Sequence, residues 1–252
     1  MLKIKDSINL KNGDCLEIMK DIPDKSINLI ITDPPYWHKK SPGKPYSQRK
    51  QYKTSSKFAN SDLYNANSVM MSKMSDFTGD CIEEILKEFS RIMKKMNAYI
   101  FRNDTQIAYY SMWAEKNGYM FSILIWEKPL SIINKNRYSQ NTEYIIRIYE
   151  YGTGLNKTDN NNFYNKVKKI KPITGKKKIH PTQKPTELAE QFIILSSSEK
   201  DIILDPFMGS GSTGEACLKN NRNFIGIEID TEYFNIAKER LKNIQQDIFS
   251  IQ

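Results

Sequence analysis

Two stretches of the 252-residue sequence hold residues whose types and spacing could do chemistry. In "NLIITDPPYW", Asn28 to Trp37, an apolar run of strand type ends in a carboxylate, two prolines and two aromatic rings. Proline fixes φ and has no N–H to offer a ladder, so the strand must stop and the chain must leave it through a stiff elbow. Asp33, Pro34, Pro35 and Tyr36 thereby present an acid, a backbone carbonyl with little freedom left and a ring face at one strand end. The second stretch is "DIILDPFMGSGSTGEACLKNNRNFIGIEID". Gly209, Gly211 and Gly214 fit G-x-G-x-x-G directly after a strand ending at Asp205, and Glu228 closes the next strand about 20 residues on. Such a loop lets the backbone approach a nucleoside ligand closely while the distal carboxylate grips ribose hydroxyls. An NAD-binding Rossmann oxidoreductase is the first candidate. Asp205 argues against it, because its charge would repel a pyrophosphate and attract the ammonium of a methionine moiety.

These residues need a scaffold, and short apolar or β-branched runs supply one. Strand signals occur at "SINL" near residue 8, at 27–32, 97–102, 120–126, 143–149, 201–205 and 223–229. Between them "DCIEEILKEFSRIMKK" puts Ile82, Ile85, Leu86, Phe89, Ile92 and Met93 on one helical face. "PTELAEQFIILSS" starts a helix at Pro185, with Leu188, Phe192 and Leu195 on one side. "DTEYFNIAKERLKNI" opens on a capping Asp or Thr and closes on basic residues. Alternating strands and helices predict an α/β fold with a doubly wound, mostly parallel, seven-stranded Rossmann-like sheet. Only one strand and one helix follow the glycine loop, so the other strands must come from the front of the chain. The order of elements is circularly permuted. Residues 38–76 and 151–182 lack usable periodicity and read as long loops beside the sheet.

Composition narrows the class. A hydrophobic content of 39% and a charged content of 27% suit a globular protein, and no apolar run approaches the ~20 residues of a membrane span. No signal-peptide core is evident at the start, and a cytosolic location is expected. Three widely spaced cysteines and two histidines, none in ligand spacing, predict neither a disulfide framework nor a metal site. The net charge of +9 is concentrated: seven Lys/Arg and no acid from His38 to Ser61, and eight with no acid from Asn160 to Thr186, leaving the rest of the chain at −6. Localised positive charge interleaved with Tyr46, Tyr52, Phe58 and Tyr164 predicts a phosphate-backbone partner.

The ordered set "TDPPY", "HPTQKP" and "LDPFMGSGSTG…FIGIEID", with "GDCLEIM" ahead of it and "RYSQNTEYIIRIYE" within it, resembles the amino-group DNA methyltransferases of the permuted β class over nearly the whole chain. The resemblance implies S-adenosylmethionine as cofactor and direct methylation of an exocyclic amine on a flipped-out base. A conjugated amine is a poor nucleophile, so its hydrogens need acceptors as the nitrogen rehybridises. The resemblance puts Asp33 and the Pro34 carbonyl in that role, Pro35 stiffening the elbow and Tyr36 stacking on the base. It assigns Asp205 to the methionine ammonium and Gly209, Ser210, Gly211 and Thr213 to the loop around the cofactor. Phe207 becomes an apolar wall, Glu228 the ribose partner, Asp14 and Cys15 the adenine contacts, and Thr182 and Lys184 the carboxylate end. Asp rather than Ser at position 33 points to adenine N6, with cytosine N4 as the alternative; a C5-cytosine enzyme would need a Pro-Cys pair that is missing. RNA methylation and a binding module without turnover are the other readings. Double-stranded DNA is the implied partner, held by Lys39, Lys40, Arg49, Lys50, Arg137, Lys176, Lys177 and Lys178, and relatives that pair make a homodimer an option. The implied organisation is a single methyltransferase domain over 1–252, with a basic insertion at 38–76 and a small target-recognition region at about 130–180.

Overall fold

Leu29–Thr32 and Asn97–Arg102 are buried at every position, which is why both read as nearly unbroken apolar runs: a central strand covered on both faces needs no polar side. The computed structural model describes residues 2–4, 7–35, 79–129, 138–139, 141–175 and 183–250. Its strands are β1 (Leu2–Ile4), β2 (Ile8–Asn12), β3 (Leu29–Thr32), β4 (Asn97–Arg102), β5 (Met120–Glu127), β6 (Thr142–Tyr149), β7 (Val167–Lys169), β8 (Ile202–Asp205) and β9 (Asn223–Glu228). The described helices are α1 (Cys15–Met19), α2 (Gly79–Ile92), α3 (Ile107–Lys116), α4 (Thr186–Ser196), α5 (Ser212–Lys219) and α6 (Thr231–Ser250). The chain divides into two units, residues 1–34 with 83–252 and residues 35–82, and the sheet belongs to the first.

The strands form one sheet in the order β1-β2-β9-β8-β3-β4-β6-β5-β7, with parallel pairs β2–β9, β9–β8, β8–β3, β3–β4 and β5–β7 and antiparallel pairs β1–β2, β4–β6 and β6–β5. The doubly wound, mostly parallel expectation stands, but the expected seven strands are nine among the described residues. The additions are β1 and β7, one at each edge. Three residues of "LKI" or "VKK" give too little alternation for a period to show. β7 also corrects the reading of 151–182 as devoid of regular structure. Asn156 anchors that segment to the end of α4, its Nδ2 donating to the carbonyls of Ile194 at 3.0 Å and Ser197 at 2.7 Å.

Alternation sorts the side chains. Leu29, Ile31, Tyr99, Phe101 and Ile203 pack with Leu188, Phe192 and Ile193 of α4, Ala216 and Cys217 of α5 and Leu241 of α6. Tyr99 and Phe192 stack with centroids 4.3 Å apart. Each such buried side chain contributes on the order of 1.5–3 kcal/mol. Arg102 points from the opposite face and lies over the Tyr110 ring of α3 at 4.4 Å, so helices cover both sides of the sheet.

The approach of α5 to β9 and α6 requires a glycine. A Cβ at Gly214 would lie 2.7 Å from Phe224 Cε1 and 2.8 Å from Leu241 Cδ1. Gly214→Ala is therefore expected to cost about 1–3 kcal/mol of stability, outweighing alanine's better helix propensity. Denaturant unfolding checks this, and an unchanged midpoint would show that the contact relaxes at little cost.

Candidate active site

β3 and β8 lie side by side at the middle of the sheet, but the chain continues from them in opposite directions: β8 leads through α5 to β9, whereas β4 flanks β3 on its other side. A crevice opens at the carboxyl ends of parallel strands where the winding reverses in this way. Asp205 ends β8 and Asp33 directly follows β3. Neighbouring strands thus bring together two residues 172 positions apart in the chain.

Asp205 is buried, and both its oxygens are hydrogen-bonded. Its Oδ1 accepts from Thr32 Oγ1 at 2.8 Å and from the Phe207 amide at 3.1 Å, and its Oδ2 accepts from Thr213 Oγ1 at 2.8 Å. Burial pushes its carboxyl up to about 7 against the pull of the Thr213 and Thr32 hydroxyls. The loop beyond it turns through Gly209 (φ 49) and Gly211 (φ 79), left-handed conformations that favour glycine. Glu228, at the end of β9, pins the same loop: its Oε2 accepts from the Gly209 amide and its Oε1 from the Asp230 amide, both at 2.9 Å. Burial raises the Glu228 carboxyl too, while those two amides pull it down. From α6, Arg240 donates to the Ser210 carbonyl at 3.0 Å and pairs with Glu215, clamping the loop from behind. Asp14 caps α1 by accepting from the Leu16 amide at 2.8 Å. Because Asn12 pairs with Glu228 in the β2–β9 ladder, Asp14 and the buried Cys15 sit beside Glu228 at the same strand ends.

The other half of the site is built on Asp33. Its Oδ2 accepts from Lys184 Nζ at 2.5 Å, while its buried Oδ1 has no hydrogen-bond partner among the described residues. Burial pushes Asp33 upward from the usual carboxylate range, the Lys184 charge opposing it and Glu143 adding to it. Lys184 also faces Glu143 Oε2 at 3.5 Å and lies 5.1 Å from the centre of the Phe101 ring. Burial disfavours the Lys184 ammonium, yet the charges of Asp33 and Glu143 override that and raise it. The Pro34 carbonyl accepts from Arg102 at 2.9 Å. A carbonyl oxygen has two lone pairs, so Arg102 fixes its direction and leaves a second acceptor position. The buried carboxylates along this edge suit a cationic ligand carrying hydroxyl groups and are poorly suited to a polyphosphate.

Asp14, Asp33, Pro34, Pro35, Asp205, Phe207, Gly209, Ser210, Gly211 and Glu228 fall on loops or strand ends next to β2, β3, β8 and β9, Cys15 and Thr213 in the first turns of α1 and α5 that follow those loops, and Lys184 just ahead of α4. Tyr36, Thr182, Lys39, Lys40, Arg49, Lys50, Arg137, Lys176, Lys177 and Lys178 lie outside the described residues. The basic run 160–186 needs one correction, since two of its lysines are turned inward. Lys184 is committed to Asp33 and Glu143, and Lys168 is 2% exposed on β7, donating to the Phe163 carbonyl at 2.5 Å. Burial lowers the Lys168 ammonium to about 8, the opposite of a solvated phosphate-binding lysine. Thr32, Arg102, Glu143 and Arg240 were not expected at the site. A lone arginine closing "NAYIFR" and a lone acid opening "EYIIRIY" were the available signals, because a charge within a buried strand needs a partner.

Comparison with known proteins follows the same lines. Residues 27–239 match the DNA methylase family N6_N4_Mtase. The chain is 30% identical to the type II methyltransferase M.HinfI of Haemophilus influenzae, over 96% of its own length and 70% of that relative. It is 27% identical to the DNA adenine methyltransferase YhdJ of Escherichia coli K12, covering 91% of this chain and 81% of that one. The crystal structure of the M1.HpyAVI–SAM complex superposes with a TM-score of 0.65 at 29% identity, covering 93% of this chain and 100% of that chain. A reversal of winding in a permuted sheet, an aspartate at the carboxyl end of each of the two strands beside it and a match spanning most of the sequence agree: this chain belongs to the N6/N4 DNA methylase family.

Proposed function

We propose that the chain is a DNA adenine-N6 methyltransferase that uses S-adenosylmethionine and acts on double-stranded DNA. The observation that carries this reading is Asp33 Oδ1, a buried acceptor with no hydrogen-bond partner among the described residues, beside the cofactor-type loop. Leaving a buried polar atom unpaired costs about 1–3 kcal/mol, and at this strand end, beside the glycine loop, a ligand donor would recover that cost. An exocyclic amine donating to it would fill the gap.

The donor set fits the cofactor. Asp205 is assigned to the ammonium, Glu228 to the ribose, Gly209, Ser210, Gly211 and Thr213 to the loop around it, Phe207 to a wall, and Asp14 and Cys15 to the adenine. When bound, S-adenosylmethionine supplies an electrophilic methyl group on sulfonium. The chain's own part is positioning: Asp33 Oδ1 and the free lone pair of the Pro34 carbonyl accept hydrogen bonds from the two amine N–H groups, so the nitrogen lone pair leaves conjugation and turns toward the methyl donor, and the one proton released leaves through Asp33. Tyr36 is assigned the stacking face for a base turned out of the duplex. Residues 1–252 are read as one methyltransferase domain, with the insertion at 38–76 and the region at about 130–180 meeting the DNA. Lys39, Lys40, Arg49, Lys50, Arg137, Lys176, Lys177 and Lys178 are assigned to phosphates, which the local charge supports. Among the described residues no helix is long and apolar enough to cross a membrane, and a cytoplasmic location is part of the proposal.

Incubation with methyl-labelled cofactor and unmodified duplex DNA, followed by digestion and mass spectrometry of the nucleosides, tests the reading. N6-methyladenine is the expected product. N4-methylcytosine as sole product overturns the choice of base, transfer to RNA alone overturns the choice of polymer, and absence of transfer overturns the activity.

A further inference from the structure

Lys184 stands between two carboxylates from unrelated parts of the chain. Asp33 lies 2.5 Å from its Nζ and Glu143 of β6 lies 3.5 Å from it, and the three side chains are 13–19% exposed. Glu143 is itself held at its other oxygen by Lys128, at 3.4 Å, and Lys128 lies over the Trp126 ring at 4.8 Å. We propose that Glu143 is a positioning residue for methyl transfer: it holds the Lys184 ammonium where it locks one oxygen of Asp33 and leaves the other turned toward the amine.

A carboxylate can rotate about its terminal torsion and present either oxygen. A lysine tail has four rotatable bonds and settles wherever charge is strongest, so Asp33 alone would not give it a fixed direction. A second carboxylate on a strand supplies a fixed point. β6 is paired on both sides, with Glu143 opposite Trp126 and Tyr144 opposite Arg102. The Glu143 backbone cannot shift without disturbing two ladders, so Lys184 is drawn to a fixed place and Asp33 takes its orientation from Lys184.

Charge adds a second effect. Among the described residues, the charged and titratable groups that face Asp33 are Lys184, Glu143, Arg102 of β4, Asp205 of β8 and Tyr110 of α3. Lys184 and Arg102 draw its proton affinity down, whereas Glu143 raises it. Glu143 thus stops the buried ammonium from weakening Asp33 as an acceptor. A more basic carboxylate oxygen is the better partner for an amine that turns acidic as it is methylated.

This inference rests on the methyltransferase reading, and its test separates the two. Glu143→Gln and Glu143→Asp are compared with the unaltered chain for methylation of duplex DNA between pH 5 and 9, alongside thermal unfolding. Glu143→Gln is expected to lower kcat about 10- to 100-fold, with the KM for the cofactor held within roughly twofold. It also moves the acid limb of the kcat profile to lower pH, because Asp33 has lost the neighbour that raised it. Glu143→Asp, which keeps the charge, restores most of the rate. Failure of the unaltered chain to transfer methyl overturns the reading and the inference together. Active unaltered chain with a Glu143→Gln variant of equal kcat and unmoved acid limb overturns the inference alone. A loss of rate that follows loss of folding, or that Glu143→Asp shares in full, makes Glu143 structural and also overturns it.

Discussion

Asp33→Ala is expected to lower kcat for methyl transfer by about 100- to 1,000-fold, the range for losing one preorganised partner of a reacting group, with cofactor affinity staying within a few-fold of the unaltered chain. The separation follows from how the two halves of the site are built. Asp205, Glu228 and the glycine loop take their hydrogen bonds from Thr32, Thr213, Phe207, Gly209, Asp230 and Arg240, none of which depends on the Asp33 carboxyl. The fold should survive as well. Removing one partner of a buried ion pair is usually costly, but Lys184 keeps Glu143 as its counter-ion. Single-turnover transfer of labelled methyl, with calorimetric titration of the cofactor, reads both quantities. If cofactor affinity fell in proportion to the rate, Asp33 would belong to the cofactor's binding set and not to that of the base.

Asp205→Asn is expected to do two opposite things: stabilise the free chain near pH 8 and nearly abolish cofactor binding. The sign follows from the carboxyl's position. Burial lifts Asp205 to about 7, far above its value in the unfolded chain, so the folded state prefers the protonated acid. Stability from this group is present below the unfolded pKa near 4 and lost as pH rises through about 7. Keeping it ionised at pH 8 costs up to about 4 kcal/mol, at about 1.4 kcal/mol per decade of proton affinity. Asparagine removes that cost and keeps the bonds: its Oδ1 can accept from Thr32 and Phe207, and its Nδ2 can donate to Thr213 Oγ1. A rise in Tm of about 4–12 °C at pH 8 is expected, shrinking toward pH 5 where the wild-type acid is itself protonated. Without the buried charge, an ammonium loses its partner, a loss of about 2–5 kcal/mol or roughly 30- to several-thousand-fold in affinity. For the same reason, cofactor affinity of the unaltered chain is expected to weaken as pH falls below about 7. Thermal unfolding at both pH values, with and without cofactor, checks all of this. Lower stability at pH 8 would mean that the site already compensates the charge.

Individual segments of the site were readable, whereas their companions were not. The elbow at Asp33, the glycine loop after Asp205 and Glu228 at the next strand end were all legible, since each depends on neighbours within about 20 residues and obeys local rules of strand, turn and helix. The helices at 186–196 and 231–250 began near the expected proline and aspartate for the same reason; the Asp230 carboxylate accepts from the Glu232 amide at 2.9 Å. The two edge strands escaped because three residues carry too short a signal. The basic run 160–186 illustrates a deeper limit. Lys168 and Lys184 look like their neighbours in the sequence, but a lysine's stem reaches about 6 Å and its direction depends on what packs beside it.

The sequence by itself determined which residues can carry this chemistry and, through period and punctuation, which strand or helix end each one occupies. Tertiary structure alone decided which ends are neighbours: that β3 lies against β8, so Thr32 bonds Asp205, and that β4 and β6 bring Arg102 to the Pro34 carbonyl and Glu143 to Lys184. The physical reason is range. Periodicity tells a strand which face to bury, but ladder hydrogen bonds are alike for every strand, so the order across the sheet is set by packing summed over the whole core.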